Sequence, residues 1–160
     1  MFCISLKSFR FRLLSVVCGV VIVALLYMIV HVDRSDVAVY ADLLYTASSH
    51  EERMNFLEQF GWNVEADPVA VEEVFIPMQF GDVYQNYNEL QIKQGFDLLP
   101  YAGKSVKKWV YAVTNYPGYA QSQVYIRATI LVYGDRIIGG DICSVELNGF
   151  MHGFDYESKF

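Results

Sequence analysis

Leu13 to Val32 reads LLSVVCGVVIVALLYMIVHV, twenty consecutive residues whose only polar members are Ser15 and His31. At about 1.5 Å of rise per residue, a helix of that length spans roughly 30 Å, the thickness of a bilayer's hydrocarbon core. A helix packed into a protein core keeps a polar stripe for its outer side, and this run has none. It reads as a transmembrane helix. Lys7, Arg10 and Arg12 precede it, whereas Asp33, Arg34 and Asp36 follow. That asymmetry places residues 1–12 in the cytoplasm as a basic tail and the rest of the chain outside. A cleaved signal peptide is the rival reading, with a small-residue site at Val39-Tyr40-Ala41. Signal h-regions, however, run about 7–15 residues, and this one is longer and ends well before Ala41. Cys18 lies midway through the apolar run with no small residue before it, which argues against a lipoprotein cysteine. The expectation is a single-pass, signal-anchored protein of the cell membrane: a spacer over 33–47, then one extracytoplasmic domain over 48–160.

From Arg34 onward the chain carries nine Lys or Arg against seventeen Asp or Glu. An acidic exterior argues against nucleic-acid binding, which depends on neutralising phosphates, and against lying flat on anionic lipid. Cys143 is the one cysteine in this part, so no internal disulfide can form there. At about 110 residues, the domain must be held by its core alone.

Ser49 followed by Glu52 is a capping-box pattern. Met54, Phe56, Leu57 and Phe60 then give an apolar face, and Gly61 ends the helix. Trp62 and Val64 begin an extended stretch, and VAVEEVFIP (69–77) reads as a strand closed by Pro77. A second helix starts at Asp82, turns Val83, Tyr87 and Leu90 to one face, and stops at Gly95. Beyond the turn-rich segment 96–103 the character becomes β. Val106–Thr114, Val124–Tyr133 and Ile137–Ser144 are β-branched and aromatic runs, separated by Pro117-Gly118 and by the hairpin signal Gly134-Asp135. The order predicts an α+β domain: an antiparallel sheet of about four to five strands, with two helices packed on one face.

Three stretches carry a resemblance: EERMNFLEQFGW (51–62), YNELQIKQGFDLLPYAGKSVKKWVYAVTNYPG (87–118) and LVYGDRIIGGDICS (131–144). Together the chain resembles an uncharacterised domain-of-unknown-function family of single-pass, membrane-anchored envelope proteins from Gram-positive, largely spore-forming, bacteria, over roughly residues 49–154. The resemblance implies an anchored extracytoplasmic domain and supplies no catalytic residues.

Candidate chemistry concentrates at GGDICSVELNGFMHGF (139–154). A reactive thiol needs a base or cation to lower its pKa and a third group to orient that base, which here means Cys143 with His152 and Asp141. The strand register decides the matter. Counting back from Gly134-Asp135 puts Ile126 opposite Cys143 and Ala128 opposite Asp141 on an apolar face, where Asp141 fits poorly. Gly139-Gly140 suggests a bulge that would turn both to the other side. A metal site is not expected, since His50, His152 and Cys143 are far apart in sequence. Glu51-Glu52 sits where it offsets a helix dipole, and Glu72-Glu73 alternates across a strand, so neither pair makes an acid–base dyad. Lys104, Lys107 and Lys108 form a basic cluster suited to an anionic wall polymer or acidic partner, or simply to edge protection. Tyr116 and Tyr119 flank the Pro-Gly turn and, if exposed, offer a contact surface. No phosphate-cradling glycine loop is present and no cofactor is expected. The reading favoured is a non-enzymatic tethered module that binds a protein or envelope component. The alternatives are an envelope thiol enzyme or redox protein using Cys143, and a structural subunit assembled through its membrane helix. The sequence leaves the oligomeric state open.

Overall fold

The computed structural model of the chain describes residues 19–24, 27 and 45–156. The chain divides into two units, residues 1–41 and 42–160. In the first, residues 19–24 and 27 are helical and exposed. Among the described residues no helix is long and apolar enough to cross a membrane. The basic tail 1–12, most of the expected span 13–32 and most of the spacer 33–47 lie outside those residues.

The second unit is built on a five-stranded sheet in chain order, β1-β2-β3-β4-β5, every neighbouring pair antiparallel. The strands are β1 (Ala70–Phe75), β2 (Ser105–Ala112), β3 (Ile126–Tyr133), β4 (Arg136–Ser144) and the short β5 (Met151–His152). Helix α1 (His50–Glu58) opens with the expected capping box, Ser49 accepting from the Glu52 amide and Glu52 reaching back to the Ser49 amide. Helix α2 (Asp82–Lys93) ends just before Gly95, whose φ of 85° closes it. A single turn, α3 (Ser122–Tyr125), takes in Val124 and Tyr125, residues expected to begin the strand that starts at Ile126.

The two main helices take opposite faces of the sheet, where one face was expected. On the first face, Phe56 and Leu57 of α1 pack with Tyr111, Ile126, Ala128, Ile130 and Ile142. Arg53 ties α1 down further, bonding the Ala47 carbonyl and the Tyr111 hydroxyl with its guanidinium 3.7 Å above the Trp109 ring. On the second face, Tyr84 and Tyr87 of α2 pack with Val106, Leu131 and Ile138. The reason lies in the strands, because β2 and β3 are apolar on both sides. Val106, Leu131 and Ile138 need cover as much as Tyr111 and Ile130 do. Residues 45–47, assigned from sequence to the spacer, are stitched into the domain through a Thr46–Arg136 bridge and the Ala47 amide on the Asp135 carbonyl.

The β3–β4 register begins as expected, with Tyr133 opposite Arg136 and Val132 opposite Ile137. It then shifts by one, so that Leu131 meets Gly139, Thr129 meets Asp141 and Arg127 meets Cys143. The extra residue is Ile138, one position ahead of the glycine pair. Ile137 stays on the α1 face and Ile138 is buried on the α2 face. The glycines serve a different purpose, close approach. The Gln91 side chain of α2 accepts from the Gly140 amide at 2.8 Å, and Gln94 donates to the Gly140 carbonyl at 3.1 Å. A Cβ on Gly140 would overlap the Thr129 carbonyl oxygen and the Phe154 ring.

Gly140→Ala is therefore expected to cost about 3 kcal/mol or more, because backbone cannot yield as a side chain can. Gly61→Ala, with φ of 82° but open space around it, should cost about 1 kcal/mol. Urea unfolding followed by tryptophan fluorescence measures both. A Gly140→Ala chain as stable as the parent would overturn this packing.

Candidate functional site

Between the sheet and α2 lies an open pocket of about 730 Å³. Its floor is Lys108 from β2, Thr129 and Leu131 from β3, and Asp141 and Cys143 from β4. Val83, Tyr84, Tyr87 and Leu90 of α2 cover it, and Val74, Phe75 and Met151 close the sides. The volume falls within the range of small-molecule sites, roughly 300–1,000 Å³.

Asp141 stands out in this apolar lining, 3 % exposed. Its Oδ2 accepts from the Tyr87 hydroxyl at 2.9 Å. Its Oδ1 is buried with no hydrogen-bond partner among the described residues. The Cys143 thiol and Thr129 hydroxyl lie near enough to pull the carboxyl's pKa down, yet neither bonds Oδ1 with normal geometry. Burial outweighs these and the more distant Lys108 charge, raising Asp141 to about 6. Lys108 itself is engaged with Glu72 on β1 at 2.9 Å. Burial and then the Asp141 charge hold the Tyr87 phenol well above its ordinary value, so Tyr87 remains a donor.

Cys143 lies beside Asp141 on the same face, half-buried. Burial first, then the Asp141 carboxylate, pushes its thiol up to about 12, the opposite of what a nucleophile requires. His152 does not join it. In the β4–β5 register Cys143 is opposite Met151, whereas His152 is opposite Ile142, so the thiol and imidazole point to opposite faces. His152 Nδ1 donates to the Gly153 carbonyl, leaving Nε2 to accept from the Tyr116 hydroxyl at 3.0 Å. The structure thus brings Asp141 and Cys143 together and separates both from His152.

The other sequence candidates disperse. Lys104 lies over the Tyr133 and Tyr101 rings, whereas Lys107 and Lys108, as strand neighbours, point to opposite faces. The three do not form one basic patch. Tyr116, expected to be exposed if it served a contact surface, is buried between Trp62 and Phe150, because the chain after Pro117-Gly118 folds its aromatics inward. Tyr119 is half-buried, its hydroxyl on Glu146. Among the described residues no group of three His, Cys, Asp or Glu side chains is placed to hold a metal ion. Sequence reasoning missed Tyr87 as the partner of Asp141 and missed the pocket between them. The Gly139-Gly140 pair was the available signal, since it marked where the register could slip.

The fold and pocket define the class: a small α+β domain with one buried, half-satisfied carboxylate at the base of an apolar pocket. The chain belongs to the DUF4830 family, a domain of unknown function, whose family model matches residues 56–142, more than half of the chain. No curated protein and no solved structure matches it.

Two outcomes follow from the pocket's electrostatics. Cys143 should alkylate slowly at neutral pH in the folded chain and quickly in denaturant. A fast folded-state reaction with an apparent pKa below the ordinary ~8.5 would restore the thiol reading. Asp141 has its pKa raised from 3.8 to about 6, so the folded state binds this proton more tightly than the unfolded state does. Its contribution to stability is complete below about pH 4 and is lost as pH rises through 6, a penalty of about 3 kcal/mol at neutral pH. Asp141→Asn is therefore expected to gain about 1 kcal/mol or more at pH 7, after the cost of its unpaired amide, and to flatten the profile between pH 4 and 6. Loss of stability at pH 7 would mean that the carboxylate is already compensated.

Proposed function

We propose that this chain is a non-enzymatic binding module, tethered at the outer face of the cell membrane by residues 13–32, and that the pocket beneath α2 is its binding site. One observation carries the second half. A pocket of about 730 Å³ has on its floor a buried carboxylate with an unused oxygen. Such a group lowers the stability of the domain, and binding sites are where that kind of cost is found. The lining offers Asp141 no histidine and no activated thiol, so the pocket is equipped to hold a ligand rather than to transform one. The tether is supported by the twenty-residue apolar run and its basic N-terminal flank.

The test is photo-crosslinking in intact host cells from a photoactivatable residue at Val83, at the pocket, with Leu147, which does not line it, as the control. Position 83 should yield a discrete small-molecule adduct on a chain that pellets with membranes and is open to protease from outside. Equal adducts from both positions, or none, would overturn the pocket as the binding site. A chain found in the cytosol would overturn the tether.

A further inference from the structure

We propose that the pocket takes an amphiphilic amine, with an apolar body between α2 and the sheet and a protonated nitrogen paired with the buried carboxylate of Asp141. The proposal rests on the pocket being the binding site and adds the chemistry of what enters it.

The lining settles the body of the ligand. Val74, Phe75, Val83, Leu90, Leu131 and Met151 make most of this open pocket's wall carbon, with Asn86 and Thr129 between them, so an apolar group is favoured by leaving water. Asp141 settles the head. Tyr87 has one hydroxyl hydrogen and has spent it on Oδ2, which leaves Oδ1 as an acceptor facing no donor of normal geometry. An anionic ligand would enter beside a buried carboxylate, and the cation nearest to help, Lys108, is bound to Glu72. A purely hydrocarbon ligand would leave Oδ1 desolvated, a cost that the nearby Cys143 thiol and Thr129 hydroxyl offset only in part, since burial still raises the carboxyl's pKa. A neutral hydroxyl would satisfy the hydrogen bond but not the charge. An ammonium satisfies both, and the Tyr84 and Tyr87 rings line the same pocket, where a cation gains further from aromatic neighbours.

Binding should weaken in acid as Asp141 takes up a proton. The groups that face Asp141 do not mask this. Tyr84 and Tyr87 on α2 and Cys143 on β4 are held protonated far above neutral pH, and Lys108 on β2 is tied to Glu72 on β1. Arg127 on β3 stands opposite Cys143, on the Asp141 face.

The experiment uses the full chain in lipid nanodiscs and two photoprobes, a diazirine-bearing hexylamine and its matched hexanol, with labelled peptides mapped by mass spectrometry. The amine should label the pocket segments of α2, β3 and β5 more strongly than the alcohol. Asp141→Asn should reduce amine labelling about tenfold or more and alcohol labelling by far less, as expected when a charge-assisted hydrogen bond is lost and a neutral one exchanged. In the unaltered chain, amine labelling should fall between about pH 8 and pH 5 while alcohol labelling holds, which tests the same point without a substitution. Equal labelling by the two probes, indifferent to pH and to Asp141→Asn, would overturn the amine and leave the pocket reading standing. Labelling of the pocket by neither probe would overturn both.

Discussion

One extra residue in β4 determines where the chemistry of this domain lies. Ile138 shifts the β3–β4 register, and every later side chain of β4 changes face. Without the shift, Asp141 and Cys143 would point into the α1 core, an ionisable group among Ala128, Ile130 and Phe154 with little to bond it. With it, Ile142 fills that core, while Asp141 and Cys143 turn toward α2 and the Tyr87 hydroxyl. The bulge thus resolves a packing conflict and creates the pocket floor in one step. Gln91 of α2 and Gln94 at its C-terminal cap supply partners to the Gly140 backbone just beyond it. A bulge held by side-chain amides of a separate helix is a long-range feature, which makes the pocket and its cover parts of one construction.

The elements were largely legible in the sequence because each has a local cause. The Ser49/Glu52 capping box, the Gly61 and Gly95 stops and the Gly134-Asp135 hairpin are decided within a few residues, and all are found where the pattern put them. What failed depended on contacts distant in sequence. The second helix could not be assigned to a face of the sheet, because Val106, Leu131 and Ile138 read simply as strand residues until both sides of the sheet are seen to be apolar. Tyr116 read as a candidate contact-surface residue beside the turn, and it is core because Trp62 and Phe150 arrive from elsewhere in the chain to stack on it. β5, two residues long, carries no period that a pattern can detect.

The candidate site was legible by composition and not by geometry. Cys143, Asp141 and His152 are chemically suggestive within twelve residues of sequence, and a thiol, an acid and an imidazole invite a catalytic reading. Strand alternation decides against it. Cys143 and His152 sit at pairing positions one step out of phase, so the sheet itself stands between them. The burial that makes Asp141 interesting also disables Cys143, since a thiolate beside a carboxylate in the same pocket would be doubly disfavoured.

The position of the pocket along α2 follows from how unevenly that helix is held. Its C-terminal half is pinned. Gln91 is fully buried, Asn88 spans the Leu98 amide and Asp97, and Gln94 bonds both the Gly140 carbonyl and the Phe154 amide. The N-terminal half is held more lightly, by Gln85 on the Phe80 carbonyl and by Tyr87 on Asp141. Gly81 contributes no side-chain cap, Val83 is 85 % exposed, and Tyr84 is only half-buried. A helix fastened at one end and lightly packed at the other leaves space beneath the loose end, and most of the pocket's helical lining, Val83 to Tyr87, lies there, with Leu90 at its edge. Asp141 lies in the pocket's lining below that end, with Tyr87 at the boundary between the two halves. The residue that holds one carboxylate oxygen therefore also marks where firm packing stops and the space for a ligand begins.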